Sequence, residues 1–499
     1  MNDNKRIAIN SVVIFLRLCI VSMVNIIASR VVLDALGASD FGLYNVVGGI
    51  VILLNVVNTA MLATTYRYLA FEIGKKLGGN PNKIFNTSLL IHAVFAIGLI
   101  TVGIAVGDWY ICNYLNIVPD KISDAIFVFH ISIITAALST LFVPFQGLQV
   151  AYEKFTVNAA IDIISQSIKL AAIILLIYSD TNRLRLYSMI MLSYTFFSCV
   201  LYVGYCVMHY WNVIKPTVYK DSKLIKEMLQ YALWTMFGAL ASVGKSQGSA
   251  VIINFFFGTV VNAAFAVATQ IESFVLVFAR SLNSAAVPQI TKNFSGGNSG
   301  RSIKLTSYIS KYTFILMCFV AFPVLLEMDF LLSIWLKEVP EGSATFCRLM
   351  ILGALLGCLG EGIPALVNAT GNIKNYQIII HSFTLLGLPI SFVCYKLGAT
   401  PFAILKVFCC ISFLLAFMRL YLLKKIFDFD VRQFIEISFI KIGLISIPLL
   451  IFYILYNPAS FPIWGHILGI ILSEIFLVAV IVLIGLDKEE RQLLASFVK

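Results

Sequence analysis

The chain has 499 residues, of which 60% are hydrophobic and only 12% are charged, whereas soluble domains average roughly 25% charged residues. So much apolar surface cannot be hidden from water in one core, so the composition excludes an ordinary soluble enzyme or binding domain. The net charge of +11 is not concentrated in a Lys/Arg block or a recognition motif, so we expect no nucleic-acid partner.

Apolar stretches long enough to cross roughly 30 Å of hydrocarbon occur fourteen times. The first follows a basic start and has no small-residue cleavage site, so we expect an uncleaved helix. The sequence predicts an all-α integral membrane protein of about fourteen transmembrane helices, at 8–33, 43–69, 84–107, 124–148, 155–178, 187–210, 231–257, 260–287, 307–330, 345–369, 374–396, 401–423, 434–456 and 463–486.

Lys and Arg residues are distributed unequally between the alternate loops of this arrangement. Twenty lie on the side of the amino terminus, and five lie on the other side: Lys121, Arg183, Arg185, Lys337 and Lys396. Positive charge is retained in the cytoplasm during insertion. The count therefore predicts a multi-pass membrane protein with both termini in the cytoplasm.

The spans group into four predicted segments. An N-terminal six-helix bundle occupies 1–210, a cytoplasmic linker 211–230, a second six-helix bundle 231–425, and two extra transmembrane helices with a cytoplasmic tail 426–499. In the linker, Asp221 is a candidate helix cap followed by an apolar face, which predicts an interfacial helix.

A weak internal repeat relates the two bundles. Leu36 and Gly37, with the residues that follow them, match Phe257 and Gly258 at a constant offset of 221 positions. Both copies lie where two consecutive predicted helices join. Repeats of the same orientation predict two pseudo-symmetric bundles around an axis along the membrane normal, with a cavity between them.

Four cations inside the predicted spans are candidate cavity residues: Arg17, Lys169, Lys245 and Arg280. An ionisable residue near the middle of a bilayer costs at least roughly 2.5–3.5 kcal/mol and usually faces a wet cavity or a partner. Lys245 lies in the most polar stretch of any span, where the alternative is a structural pair. Arg17 is near enough to the cytoplasmic side that snorkelling is its alternative.

Two glutamates of the second bundle, Glu272 and Glu361, are candidates for ion coupling or for charge pairing. Glu272 shares a broad helix face with Arg280, and a salt bridge to Lys245 is the structural alternative for it. Glu361 lies in the segment GCLGEGIPALVNATG, where glycine and proline predict a break that exposes backbone. Asp162 is a further acidic candidate in the first bundle.

Three short segments, at Leu36–Ile50, Ala285–Thr291 and Phe322–Pro340, resemble polysaccharide flippases of the Wzx type, which transport O-antigen, capsule or exopolysaccharide units and belong to the MOP (MATE-like) superfamily. LGASDFGLYNVVGGI at Leu36–Ile50 resembles their first helix-to-helix turn. AAVPQIT at Ala285–Thr291 and FPVLLEMDFLLSIWLKEVP at Phe322–Pro340 resemble the ends of their eighth and ninth helices. The resemblance implies two bundles that rock to move an undecaprenyl-pyrophosphate-linked oligosaccharide across a bacterial inner (cytoplasmic) membrane. It also implies a monomer that works among membrane lipids, with polysaccharide polymerase and export proteins as possible partners.

Two alternatives on the same fold stay open at this point. Peptidoglycan lipid II flippases have fourteen helices, the last two lining a groove for the lipid tail, and carry first-helix arginines in a place comparable to that of Arg17. The second alternative is a MATE-like antiporter of cationic drugs or metabolites. The cavity of such an antiporter should be apolar and acidic.

An enzyme is not expected. The sequence has no phosphate-binding GxxxxGK[ST] loop, no GxGxxG in a strand-to-helix setting and no Cys/His metal spacing, so we predict no catalytic residue, no cofactor and no metal. A polysaccharide polymerase would need a long periplasmic loop, and the longest one, Gly107–Ser123, carries few reactive residues.

Overall fold

The computed structural model describes residues 3–75, 78–113, 119–179, 181–336, 339–427, 430–458, 462–487 and 490–492. Every regular element in these ranges is helical, which confirms the all-α prediction. The helices are α1 Asp3–Gly74, α2 Pro81–Asn113, α3 Ile122–Ala151, α4 Phe155–Leu176, α5 Arg183–Ile214, α6 Ser222–Ser295, α7 Ser299–Leu326, α8 Met328–Trp335, α9 Ser343–Gly357, α10 Ile363–Thr370, α11 Lys374–Leu385, α12 Gly387–Lys396, α13 Ala403–Ile426, α14 Val431–Phe434, α15 Lys441–Leu455 and α16 Ile463–Val480. Short 3₁₀ turns lie at Pro119–Lys121 and Cys358–Gly360, and π-helical turns lie at Ile435–Ile440 and Ile481–Gly485.

In the described ranges, 11 helices are long and apolar enough to cross a membrane, and Ile9–Asn25 is a shorter apolar helix. Twelve of the predicted spans therefore have a counterpart. The other two, at 43–69 and 231–257, fall within the long helices α1 and α6. Many large apolar side chains on the outer faces are exposed, as expected where lipid replaces water. The chain is a multi-pass integral membrane protein.

The internal repeat has a direct structural counterpart in α1 and α6. Each is a pair of helical segments that meet at a glycine, Gly37 with φ 73° in α1 and Gly258 with φ 79° in α6. A positive φ is strained for residues with a side chain, and glycine adopts it readily. These two glycines are separated by the 221 residues of the sequence repeat, so the same kinked element is used twice.

The structure divides into two compact units. Unit 1 comprises the residues up to Ala239 together with Ser295–Gly297, and unit 2 comprises Leu240–Phe294 and the residues from Asn298 onward. The boundary at Ala239 lies inside α6. This helix begins at Ser222, within the predicted linker, and continues past the boundary. The linker cap is confirmed, because the Asp221 carboxylate accepts a hydrogen bond from the Leu224 amide at 3.0 Å.

Unit 1 is built on α1 and α3. Helix α1 packs on α3 and α4, and α3 also packs on α2 and α5. The Asn82 amide at the start of α2 donates to the carbonyls of Val213 and Lys215 at 2.8 and 2.9 Å, and the Tyr219 hydroxyl donates to its Oδ1 at 2.8 Å. These bonds use carbonyls that a helix end leaves free, and they hold the end of α5 against α2.

In unit 2, α7 and α13 are the central helices. Helix α7 contacts α9, α10, α15 and α16, and α13 contacts α9, α11 and α12. The last two transmembrane helices are therefore packed on α7. This helix begins earlier than predicted, at Ser299, and ends at Leu326, where the Glu327 amide caps it by donating to the Pro323 carbonyl at 3.0 Å.

Candidate functional site

The interior of unit 1 holds an ion pair that joins its first and fourth helices. Arg17 of α1 lies 3.0 Å from the Asp162 carboxylate of α4, and the Tyr202 hydroxyl donates to the same carboxylate at 2.8 Å. Both charged side chains are partly shielded, with 27% and 30% of their surface exposed. Arg17 is thus held by a partner inside the protein, and snorkelling is not needed to explain its position.

Lys169 is more deeply buried, with 7% of its surface exposed. Its ammonium group donates to the Asn25 side-chain oxygen at 2.8 Å and lies 5.2 Å from the centre of the Tyr194 ring. The Tyr194 hydroxyl accepts a hydrogen bond from the Gln166 amide at 3.0 Å. Neither contact neutralises the lysine, because a neutral amide and an aromatic face leave its positive charge in place.

The Arg17–Asp162 ion pair and the Lys169–Asn25 hydrogen bond lie one after the other along the interface between α1 and α4. Asp162 and Lys169 are seven residues apart, which is almost two full turns, so they share one face of α4. Their partners Arg17 and Asn25 are eight residues apart on α1. The earlier residue of each helix contacts the earlier residue of the other, so the two helices run parallel. We call the set the unit 1 cluster: Arg17, Asn25, Asp162, Gln166, Lys169, Tyr194 and Tyr202.

In unit 2, the sequence-predicted residues Lys245, Glu272 and Arg280 lie close enough to interact electrostatically. The Lys245 ammonium lies 4.8 Å from the centre of the Phe408 ring, and Arg280 is exposed. Among the described residues, none of these three side chains has an opposite charge within 4.0 Å. The direct Lys245–Glu272 salt bridge considered from the sequence is therefore not formed.

Glu361 lies at a break in the tenth span, as its glycine-rich segment predicts. Helix α9 ends at Gly357, a 3₁₀ turn follows, and α10 begins at Ile363. The break frees the Gly360 carbonyl, which accepts a hydrogen bond from Arg419 at 3.3 Å. The Glu361 carboxylate accepts one from the Asn283 amide at 2.6 Å, and Arg419 and Arg280 are its neighbouring cations.

The unit 2 cluster comprises Lys245, Glu272, Arg280, Asn283, Glu361 and Arg419. Arg419 was not among the residues singled out from the sequence. It lies near the end of the span predicted at 401–423, next to Lys424 and Lys425, where a basic residue usually anchors a helix to the cytoplasmic interface. Its contact with the carbonyl freed by the break between α9 and α10 could not be read from that position.

Among the residues that the structure describes, buried polar atoms without a hydrogen-bond partner lie in and beside the unit 2 cluster. They include Oδ1 of Asn283 and Nε of Arg419, and the neighbouring Tyr376 hydroxyl is a third. Buried polar groups are normally satisfied by protein or water. Together with three cations that have no carboxylate within 4.0 Å among the described residues, they make this cluster a polar and positively charged site in an otherwise apolar bundle.

No protein-family model matches the sequence, and no curated protein does. Solved structures do match. An outward-facing multidrug-resistance MATE transporter of the MOP superfamily is 13% identical, with 85% of this chain and 97% of that chain covered at a TM-score of 0.72. A MATE transporter in the straight conformation is 15% identical, with 85% and 98% covered at a TM-score of 0.73.

A third structure, a MOP superfamily transporter from Pyrococcus furiosus, is 13% identical over 85% of this chain and 97% of that chain, with a TM-score of 0.73. It is described as having a binding pocket of reversed polarity that suggests a different function. These likenesses extend over most of both chains at low identity. They show that the chain has the fold of MATE-like transporters of the MOP superfamily.

Proposed function

We propose that this protein is a flippase that moves an undecaprenyl-pyrophosphate-linked oligosaccharide across the bacterial inner membrane by alternating access, for the synthesis of a surface polysaccharide. The observation that carries the proposal is the excess of cations over carboxylates in both the unit 1 cluster and the unit 2 cluster. The fold supports a membrane transporter, and the charge of the two clusters favours an anionic cargo.

The charge balance follows from the contacts. In unit 1 the Asp162 carboxylate compensates Arg17, and Lys169 remains as a net positive charge. In unit 2 three cations face two glutamates. A pyrophosphate carries at least two negative charges, and Lys and Arg replace part of the hydration that it loses away from water. Single cations bound by neutral groups suit a cargo that must be released again.

A MATE-like antiporter of cationic drugs or metabolites is the second candidate, favoured by the solved structures with this fold. A cationic cargo would require carboxylates that exceed the cations around it, because an unpaired positive charge in a site of low dielectric repels another. Both clusters have the opposite balance. The Pyrococcus furiosus transporter with its reversed pocket polarity supports the view that this fold accommodates more than one kind of cargo.

Loss of the gene in its native host separates the two functions. A flippase predicts that lipid-linked oligosaccharide accumulates in the cytoplasmic leaflet and that surface polysaccharide disappears, with drug susceptibility unchanged. Normal export with increased sensitivity to cationic drugs would favour the antiporter. If the deletion strain loses peptidoglycan synthesis and only a lipid II flippase restores it, the protein is the lipid II flippase of the alternative hypothesis.

Ion coupling is predicted to reside at Glu272. It is near Lys245 and Arg280 but forms no direct ion pair with them, whereas Glu361 is held by Asn283 at 2.6 Å. Glu272→Gln should therefore abolish the dependence of export on sodium or pH, and Glu361→Gln should change it less. Glu474→Gln, in α16 outside the cluster, is the matched control. An unaltered ion dependence in both cluster variants, at normal protein levels, would leave the two glutamates with structural roles.

A further inference from the structure

The junction between α7 and α8 contains a buried carboxylate that the proposed transport function does not use. Only 1% of the surface of Glu327 is exposed. Its Oε1 accepts a hydrogen bond from the Tyr456 hydroxyl beyond the end of α15, and its Oε2 lies 2.6 Å from Nδ1 of His466 in α16. One side chain thus joins α7 to both of the last two transmembrane helices.

The surroundings hold these groups in a fixed arrangement. The Phe330 ring stacks on the His466 imidazole, with 4.2 Å between ring centres and 10° between the planes. Gly469 lies directly behind the site, where a Cβ atom would collide with the Tyr456 hydroxyl and lie 2.9 Å from the Glu327 carboxylate. A glycine at this position lets α16 approach closely enough for the His466–Glu327 contact.

A polar pocket of about 680 Å³ opens beside the pair. Besides Glu327 and His466, its lining includes Asp329 and Ser333 of α8, Arg348 of α9, and Tyr453 with Tyr456 and Asn457 around the end of α15. Arg348 lies 2.6 Å from Asp329 and compensates its charge. A polar pocket of this size has room for water, so protons can reach the imidazole.

We propose that Glu327 and His466 form a proton-binding site, and that the bound proton controls how firmly α15 and α16 are docked on α7. The proposal does not rest on the identity of the cargo. The distribution of Lys and Arg predicts that this end of unit 2 faces the periplasm, so the site would respond to the acidity outside the inner membrane.

The direction of the effect follows from the burial of the carboxylate. An ionised carboxylate out of water costs several kcal/mol unless it is paired, and a protonated imidazole supplies the opposite charge. An imidazole is the side chain that ordinarily titrates between about pH 5 and 8. Docking should therefore be tight at the acidic end of this range and loosen as the pH rises and the imidazole loses its charge.

The other ionisable groups that face the pair do not reproduce this dependence. Asp329 and Arg348 compensate each other, and neither type of group ordinarily titrates in this range. Burial, reinforced by the neighbouring Glu327 carboxylate, raises the pKa of Tyr456, so its hydroxyl keeps its proton. Among the pocket residues that the structure describes, His466 supplies the imidazole, the type of side chain that ordinarily titrates in this range.

Hydrogen exchange of the backbone amides in Ile463–Gly469, at the start of α16, tests the proposal on the full-length protein in lipid nanodiscs. After correction for intrinsic rates, protection in the wild type should fall about tenfold or more between about pH 5.5 and about pH 8, since one pKa unit of differential binding is a factor of ten. His466→Gln and Glu327→Gln should each remove this dependence.

The matched control is His130→Gln in unit 1, where the imidazole lies 2.7 Å from Asp108 and both side chains are substantially exposed. That variant should keep the wild-type exchange profile at Ile463–Gly469. Protection that does not change with pH in the wild type would overturn the proposal. This measurement needs no variant, so it can be made even if a substitution prevents folding. A pH dependence that persists in His466→Gln would overturn it as well.

Discussion

Replacing Lys245 by Met or Arg280 by Gln should lower polysaccharide export by about ten- to a hundredfold, since a hydrogen bond to a charged group contributes about 1.5–3 kcal/mol. The amount of protein in the membrane should not change. Glu272 is already without a direct ion pair to either cation among the described residues. Removing one cation therefore breaks no close pair, and the effect should appear in transport alone.

Export and membrane level should be measured side by side in these variants, in one control and in the double variants with Glu272→Gln. Arg432→Gln removes an exposed cation whose side chain is 88% accessible, and it should leave both quantities unchanged. Adding Glu272→Gln to either cluster variant should not restore export if the cation binds the cargo. Recovered export in the double variant would assign Lys245 and Arg280 to balancing Glu272 and remove their role in binding.

The architecture could be predicted from the sequence because the bilayer imposes simple rules on it. Each crossing needs about twenty apolar residues, and a helix that turns with positive φ needs glycine. Because the kink needs glycine, Gly37 and Gly258 occupy equivalent positions in the two halves, and the repeat can be detected from one sequence. Helix ends were predicted less well. The division of the ninth span at Glu327 depends on a residue that is buried by α15 and α16, more than a hundred positions later in the chain.

The candidate site was predictable only as a set of positions. A charged residue inside an apolar stretch is visible in the sequence, and this criterion found Arg17, Lys169, Lys245 and Arg280. The partner of each charge is set by helix packing, so the Arg17–Asp162 pair and the Arg419–Gly360 contact required the structure. The division into segments at 210, 230 and 425, the monomeric state and the sidedness of the membrane stay predictions.

A charged contact with no predicted role lies in the middle of α7. Lys311 has 0% of its surface exposed, and its ammonium group donates to both oxygens of Glu490 at 2.6 and 2.7 Å. The Tyr312 hydroxyl donates to the same carboxylate at 2.7 Å. Nearby, Lys441 lies 2.6 Å from Asp487 and lowers the pKa of that carboxyl. Glu490 falls in the cytoplasmic tail predicted from the sequence, and residues 493–499 of that tail lie outside the described ranges.

Glu490→Gln should lower the free energy of unfolding by about 3–5 kcal/mol, because it leaves a fully buried ammonium group without its counter-charge. Thermal unfolding of the purified protein and its abundance in the membrane should both report the loss. The change is close to isosteric, so packing around Tyr312 is preserved and the missing charge is the main difference from the wild type.

The double variant Lys311→Met with Glu490→Gln separates the charge from the contact. Replacing both partners of a buried ion pair by neutral groups of similar size is often neutral or stabilising, so the double variant should recover most of the lost stability. Arg432→Gln, which breaks the exposed pair with Glu436, should cost at most about 1 kcal/mol. Glu490→Gln could lower the free energy of unfolding as little as Arg432→Gln does. In that case water would have to reach Lys311, or Lys311 would have to lose its proton in the folded protein. The double variant would then show no recovery, and the contact could not be what anchors the end of the last helix to α7.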